Sequence, residues 1–259
     1  AGPAAMASGP EDAARTERRR GKDRLDLKET AEIRAAVTDP AFRNSWVDHV
    51  PESRRVPSPR DFLGYAVGTP DQLTPPEKIV AYMRLLAKKS PKVEVIEMGK
   101  SHGGREMIAV AVGTAKHVRR LDAIASANAE LADPRETSRA QAEKIADDTP
   151  LMYWMTAGLH SPETGPPEMV MELAYRLAVS EQDHIREILD DVVIMISPVL
   201  EMDGRARMVD WWRRHLQDVE DLEDSPPRMA PYWGDYTAHD NNRDGLQLSQ
   251  ALTQNYVNF

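Results

Sequence analysis

His160 and Glu163 stand three residues apart in the stretch Gly158-Leu159-His160-Ser161-Pro162-Glu163-Thr164-Gly165. An imidazole nitrogen and a carboxylate oxygen are good ligands for one divalent cation, zinc foremost. Catalytic zinc normally takes three protein ligands and keeps a water in the fourth place, lowering its pKa to roughly 7. By itself the pair is unspecific, because His-x-x-Glu arises by chance in many sequences as two solvated loop residues. The setting adds weight. An apolar run, Leu151 to Ala157, precedes the turn, and a run with helical spacing follows from Pro166. The chain has no cysteine, so a metal site must use His, Asp or Glu, and there is no thiol nucleophile.

The elements that must position this turn can be read from periodicity. Thr74-Pro75-Pro76-Glu77 reads as a helix start with Thr74 as cap, followed by Ile79, Val80, Met83 and Leu86 at helical spacing. Val93 to Met98 and Glu106 to Val112 read as two neighbouring strands joined by the turn Gly99 to Arg105. Residues 116–148 read as polar helix broken at Asp133-Pro134. The continuous apolarity of 151–157 predicts a strand buried on both faces. A helix from Pro166 to about Val179, a second near 181–190 and a strand at 192–197 follow. Strands alternating with helices predict an α/β sheet, in which ligands sit at the carboxyl ends of strands. From 198 the chain reads as loop-rich, with Pro-rich, acidic material at 218–231 and a last helical run from Leu246 to Tyr256.

The 259 residues, 41% hydrophobic and 29% charged, describe an ordinary globular chain, and a net charge of -9 argues against a general nucleic-acid binder. The longest apolar run, Val192 to Ile196, is far short of the ~20 residues of a membrane span. No signal peptide is visible, and the chain begins with Ala1. Residues 1–58 are expected to form a disordered tail, to about residue 30, and then an extended lead-in anchored by Phe42, Trp46 and Val50. The folded domain is expected to span 59–259.

Four landmarks in order resemble the zinc carboxypeptidase family of the carboxypeptidase A/B type. They are Gly99-Lys100-Ser101 with Gly104-Arg105, the Gly158 to Glu163 turn, Asp203-Gly204 with the later Trp212-Arg213, and Asn242-Arg243. The resemblance covers about residues 60–259. It implies a mixed, mostly buried sheet with helices on both faces, incomplete at its C-terminus. It also implies one Zn2+ held by His160 and Glu163, a peptide substrate, and hydrolysis near a free C-terminal carboxylate. Arg213 would stabilise the oxyanion, a role that Arg214 could also take. Asn242 and Arg243 would hold the substrate carboxylate. A secreted or periplasmic location is favoured by the same resemblance.

Three departures accompany it. Pro162 stands where the family often has a substrate-binding Arg. Glu201-Met202 replaces the common Asn-Pro, which suggests a divergent, bacterial-like branch. No His follows Arg243, and the only acid there is Asp244. The family's third ligand and general base are therefore expected beyond Phe259, in a C-terminally truncated sequence with little activity of its own. A zinc amidase or deacylase on N-acyl amino acids or peptidoglycan peptides, and a metal-incomplete binding homologue, stand as alternative readings. His239 is read as a surface or supporting residue.

Overall fold

A computed structural model describes residues 19–20, 22–44, 46–219, 230–237 and 239–259. Four strands form one mixed sheet: β1 (Val93–Lys100), β2 (Glu106–Val112), β3 (Leu151–Thr156) and β4 (Val192–Ser197), in the order β1-β2-β4-β3. β1 and β2 pair antiparallel, as do β2 and β4, and β3 runs parallel to β4. On β2 every residue from Met107 to Val112 is at most 2% exposed. Successive side chains point to opposite faces, so both faces of the sheet are covered there.

The helices are α1 (Leu27–Ala36), α2 (Pro59–Leu63), α3 (Pro76–Lys89), α4 (Ala115–Val118), α5 (Leu121–Ala132), α6 (Arg139–Asp148), α7 (Gly165–Val179), α8 (Asp183–Asp191), α9 (Met202–His215) and α10 (Ala251–Asn258). α3 buries Ile79, Val80, Met83 and Leu86, the stripe its spacing predicts. Its cap differs from expectation. Pro75 occupies the N-cap without a side-chain bond. The Thr74 hydroxyl instead donates to Glu168 on α7, at 2.7 Å. A lost cap costs about 1 kcal/mol, whereas each buried side chain of the stripe contributes about 1.5–3 kcal/mol, so packing decides where this helix forms.

Three further expectations are corrected. β3 is an edge strand, with Leu151 59% and Tyr153 55% exposed, not a strand buried on both faces. The segment after 198 contains a 14-residue helix, α9, where the sequence reads as loop-rich. It buries Met202, Arg205, Met208 and Val209 on one side, a helical period masked by the glycine and the charges between them. The last helix starts at Ala251 rather than Leu246, because the buried Asp244 carboxylate takes the backbone N–H of Ser249 and of Gln250 in a turn.

The lead-in is folded from Asp23 onward. The Asp26 side chain caps α1 by accepting from Glu29 N at 2.8 Å. Val50 and His49 are fully buried, and the Tyr175 hydroxyl on α7 donates to Pro51 O at 2.7 Å. Residues 23–30, expected in a disordered tail, are ordered strand and helix; residues 1–18 of that tail and the acidic stretch 220–229 lie outside the described residues.

Candidate metal centre

The His-x-x-Glu turn leaves the carboxyl end of β3 and is tied to the neighbouring connection from β4 into α9. Ala157 N donates to Ser197 O, Leu200 N to Ala157 O and Glu201 N to Gly158 O, all at 2.8–2.9 Å. Gly158 holds a left-handed φ of 63°, which disfavours a side chain. Gly204, in the first turn of α9, sits so close that an added Cβ would lie 2.1 Å from Ser161 Oγ. A helix N-terminus is thus pressed directly against the turn.

Within the turn, His160 Nδ1 faces Glu163 Oε1 at 2.9 Å. On the other side of the ring, Nε2 faces Asp240 Oδ1 at 3.1 Å. The Tyr232 ring lies 5.0 Å from the imidazole, centroid to centroid. The imidazole side chain is 13% exposed, while that of Glu163 is 57% exposed. Partial burial pulls the His160 pKa down, but the bonds to Glu163 and Asp240 outweigh it and hold the pKa above the ordinary histidine value. Asp240 is held below the usual carboxylate range by the backbone N–H of Asn242 and by His160.

His160 and Glu163 offer two of the three protein ligands that a catalytic zinc site uses. A nitrogen and a carboxylate oxygen converge, and a second carboxylate engages the remaining ring nitrogen. Such a carboxylate–histidine pair fixes the tautomer that leaves Nδ1 free to bind a metal. His160 Nδ1 and Glu163 Oε1 are the two atoms that would hold a cation here. The residues fit zinc as two ligands of the usual three. Among the described residues no group of three or more His, Asp or Glu residues could hold a metal ion.

Asp240 is the residue that the sequence reading missed. It lies 80 positions from His160, so no local spacing links them; only its place two residues before Asn242 is a signal. Its Oδ1 also accepts from Asn242 N at 2.9 Å, which joins the Asn242-Arg243 segment to the pair. Asn241 Nδ2 donates to Leu159 O at 2.7 Å and locks the two loops together. The side chains of Asn242 and Arg243 are exposed, with Arg243 Nη1 on Asn242 O at 3.0 Å. His239 braces its own loop, with Nε2 facing Ser249 Oγ at 3.1 Å.

Among the described residues Arg213 makes no bond to the pair. It is exposed in the last turn of α9, ten residues beyond Asp203, which is about 15 Å along the axis at 1.5 Å per residue. The segment, read as loop-rich, is helical, and a helix carries its far end away from the turn its near end touches. Arg214, the alternative, lies one residue further.

The other landmarks interlock. Asp203 accepts from Ser101 Oγ at 2.9 Å, Gly103 N at 2.8 Å and Arg105 Nη1 at 2.8 Å, so it clamps the β1–β2 turn to α9. Glu201 caps α9 through Gly204 N and also accepts from Gly234 N at 3.0 Å.

Residues 79–243 match the sequence profile of a family described as zinc carboxypeptidase. No curated protein matches the chain in sequence. Among solved structures, the carboxypeptidase A of Helicoverpa armigera is similar at 18% identity and a TM-score of 0.39, over 70% of this chain and 32% of that one. A metallo-carboxypeptidase from Burkholderia cenocepacia is similar at 19% identity and a TM-score of 0.34, over 50% of this chain and 27% of that one. Bovine thrombin-activatable fibrinolysis inhibitor is similar at 12% identity and a TM-score of 0.38, over 67% of this chain and 40% of that one. The chain spans about a third of the length of the solved structures it matches.

Proposed function

The chain belongs to the zinc carboxypeptidase family, and from that premise we propose that it forms part of a metallocarboxypeptidase that hydrolyses peptide bonds near a free C-terminal carboxylate. The observation that carries this reading is the convergence of His160 Nδ1 and Glu163 Oε1 at 2.9 Å, with Asp240 on the second ring nitrogen. His160 and Glu163 are the proposed zinc ligands. Bound zinc supplies a water of lowered pKa and a Lewis acid toward the scissile carbonyl.

The remaining steps belong to the chain's own side chains. Asp240 holds the Nε2 proton and so keeps the Nδ1 lone pair directed at the metal position. Asn242 and Arg243 hold the substrate's terminal carboxylate; a guanidinium offers two parallel N–H donors that match it. Their loop is bonded to His160 through Asp240, so the carboxylate and the scissile bond would be fixed relative to one another. That linkage makes the cut an exopeptidase cut. With two ligands of three, the 259-residue chain is expected to bind zinc weakly and turn over slowly. The peptide is the only partner proposed. Among the described residues no helix is long and apolar enough to cross a membrane, and a secreted or periplasmic location is proposed on family resemblance alone.

The test has two arms. Zinc titration of the 259-residue chain should give a site that His160→Ala and Glu163→Ala each abolish. In the full-length gene product the same substitutions should remove hydrolysis of peptides with a free carboxyl terminus. Unchanged zinc binding and activity in both variants would reject the assignment.

A further inference from the structure

The proposed ligand Glu163 has a largely exposed side chain whose one hydrogen-bond partner among the described residues is His160. Its aim therefore depends on its backbone. On the N-terminal side that backbone is fixed by the Glu163 N–H on His160 O, at 3.2 Å. On the C-terminal side come Thr164, which caps α7 without a side-chain bond, and Gly165, around which an added Cβ would meet nothing within 4 Å. Pro162 and the bond from Thr164 N to Pro162 O, at 2.9 Å, stiffen the turn itself but do not anchor it to α3 or α9.

What anchors it is a buried guanidinium. Arg205, on α9, is 1% exposed. Its Nη1 donates to Thr164 O at 3.1 Å. Its Nε and Nη2 donate to Thr74 O at 3.1 and 3.0 Å, and Nη2 also reaches Glu168 Oε1 at 2.6 Å. The Glu168 carboxylate accepts in turn from Thr74 N and Thr74 Oγ1, each at 2.7 Å. One planar side chain thus ties the start of α3 and the first turn of α7 to the residue after Glu163. A fully buried ion pair is a weak device for stability alone, because apolar side chains of similar volume often serve as well. Three fixed donors delivered to two separate loops are something apolar side chains cannot supply.

We propose that Arg205 is a positioning residue for the metal site: through Thr164 O, and backed by Glu168 and Thr74, it sets the direction of the Glu163 carboxylate. The proposal rests on the reading of His160 and Glu163 as zinc ligands. Residues that orient metal ligands typically change metal affinity by about 10–100-fold when removed.

The experiment measures Zn2+ affinity of the 259-residue chain by competition with a chromophoric chelator, and the visible d–d spectrum of the Co2+-loaded chain. Two variants are compared with the unaltered chain: Arg205→Lys, which keeps a charge beside Glu168 but has no fork to span Thr74 O and Thr164 O, and the double variant Arg205→Met with Glu168→Met, which removes the buried pair while keeping volume. His160→Ala serves as the reference for loss of the site. The expected result is zinc affinity weaker by about tenfold or more in whichever variants retain native circular dichroism, with an altered cobalt spectrum. Native zinc affinity and cobalt spectrum in a folded Arg205 variant, with binding lost in His160→Ala, overturns the positioning role alone. Binding that survives His160→Ala overturns both the role and the site it serves.

Discussion

At the scale of single residues, the site is organised by a carboxylate that no motif announces. Asp240 joins His160 to the Asn242-Arg243 loop through two bonds from one oxygen. Asp240→Asn keeps the shape but can turn an amide toward the imidazole, which no longer fixes the tautomer. Zinc affinity is expected to fall by about 10–100-fold, read by titration, with little change in the melting temperature of the metal-free chain. A variant that binds zinc as the unaltered chain does would remove Asp240 from the site. The pair His160 and Glu163 was legible because both lie on one short turn after an apolar run. Asp240, Tyr232 and Arg205 were not, because each reaches the turn from a distant segment, and contacts between distant segments leave no local period.

At the scale of elements, the lead-in carries two buried ionisable groups of opposite tendency. Glu29 on α1 is buried, only 1% exposed. Burial, and next the charge of Glu172 on α7, push its pKa from 4.5 up to about 7; Asp26 on its own helix adds to this, while Ser58 and Arg60 oppose it. An acid raised in the folded state binds more protons folded than unfolded, so stability falls as pH rises from about 4.5 to 7. The whole effect is about 3 kcal/mol. Glu29→Gln should abolish that part of the slope in denaturant melts taken at pH 5 and pH 8; an unaltered slope would show that Glu29 ionises freely. Asp23 behaves oppositely. Burial raises its pKa, but the bonds from His49, Glu181 N and Ser180 outweigh this and leave it below 3.8. Its contribution is present above that value and lost as pH falls through the depressed pKa. The lead-in is therefore held most firmly in a window near pH 4–5. The sequence reading found the helices and strands with strong periods, α3, β1, β2, α7 and β4. It lost α9, where charged residues interrupt the stripe, and it read the lead-in as extended and anchored by Phe42, Trp46 and Val50, whereas α1 is helical and Val50 alone of the three is buried.

At the scale of the whole molecule, residues 23–58 are part of the fold rather than an appendage. His49 Nδ1 faces Asp48 at 2.6 Å and Nε2 faces Asp23 at 3.1 Å, with Ser180 Oγ and Glu181 N completing the cluster on Asp23. His49→Ala removes one of the three donors on the Asp23 carboxylate, leaving Ser180 Oγ and Glu181 N, which costs about 1–3 kcal/mol. A matching drop in the free energy of urea unfolding is expected; a loss under 1 kcal/mol would mean that the segment docks without this cluster. The sheet ends at β3 with Leu151 and Tyr153 outward and no strand beyond it among the described residues. An uncovered row of backbone donors and acceptors beside apolar side chains is a template for pairing between copies. The consequence is colloidal: concentrating the 259-residue chain should produce light scattering that rises with concentration, and Tyr153→Lys, a charge at the exposed edge, should suppress it while the sheet stays intact.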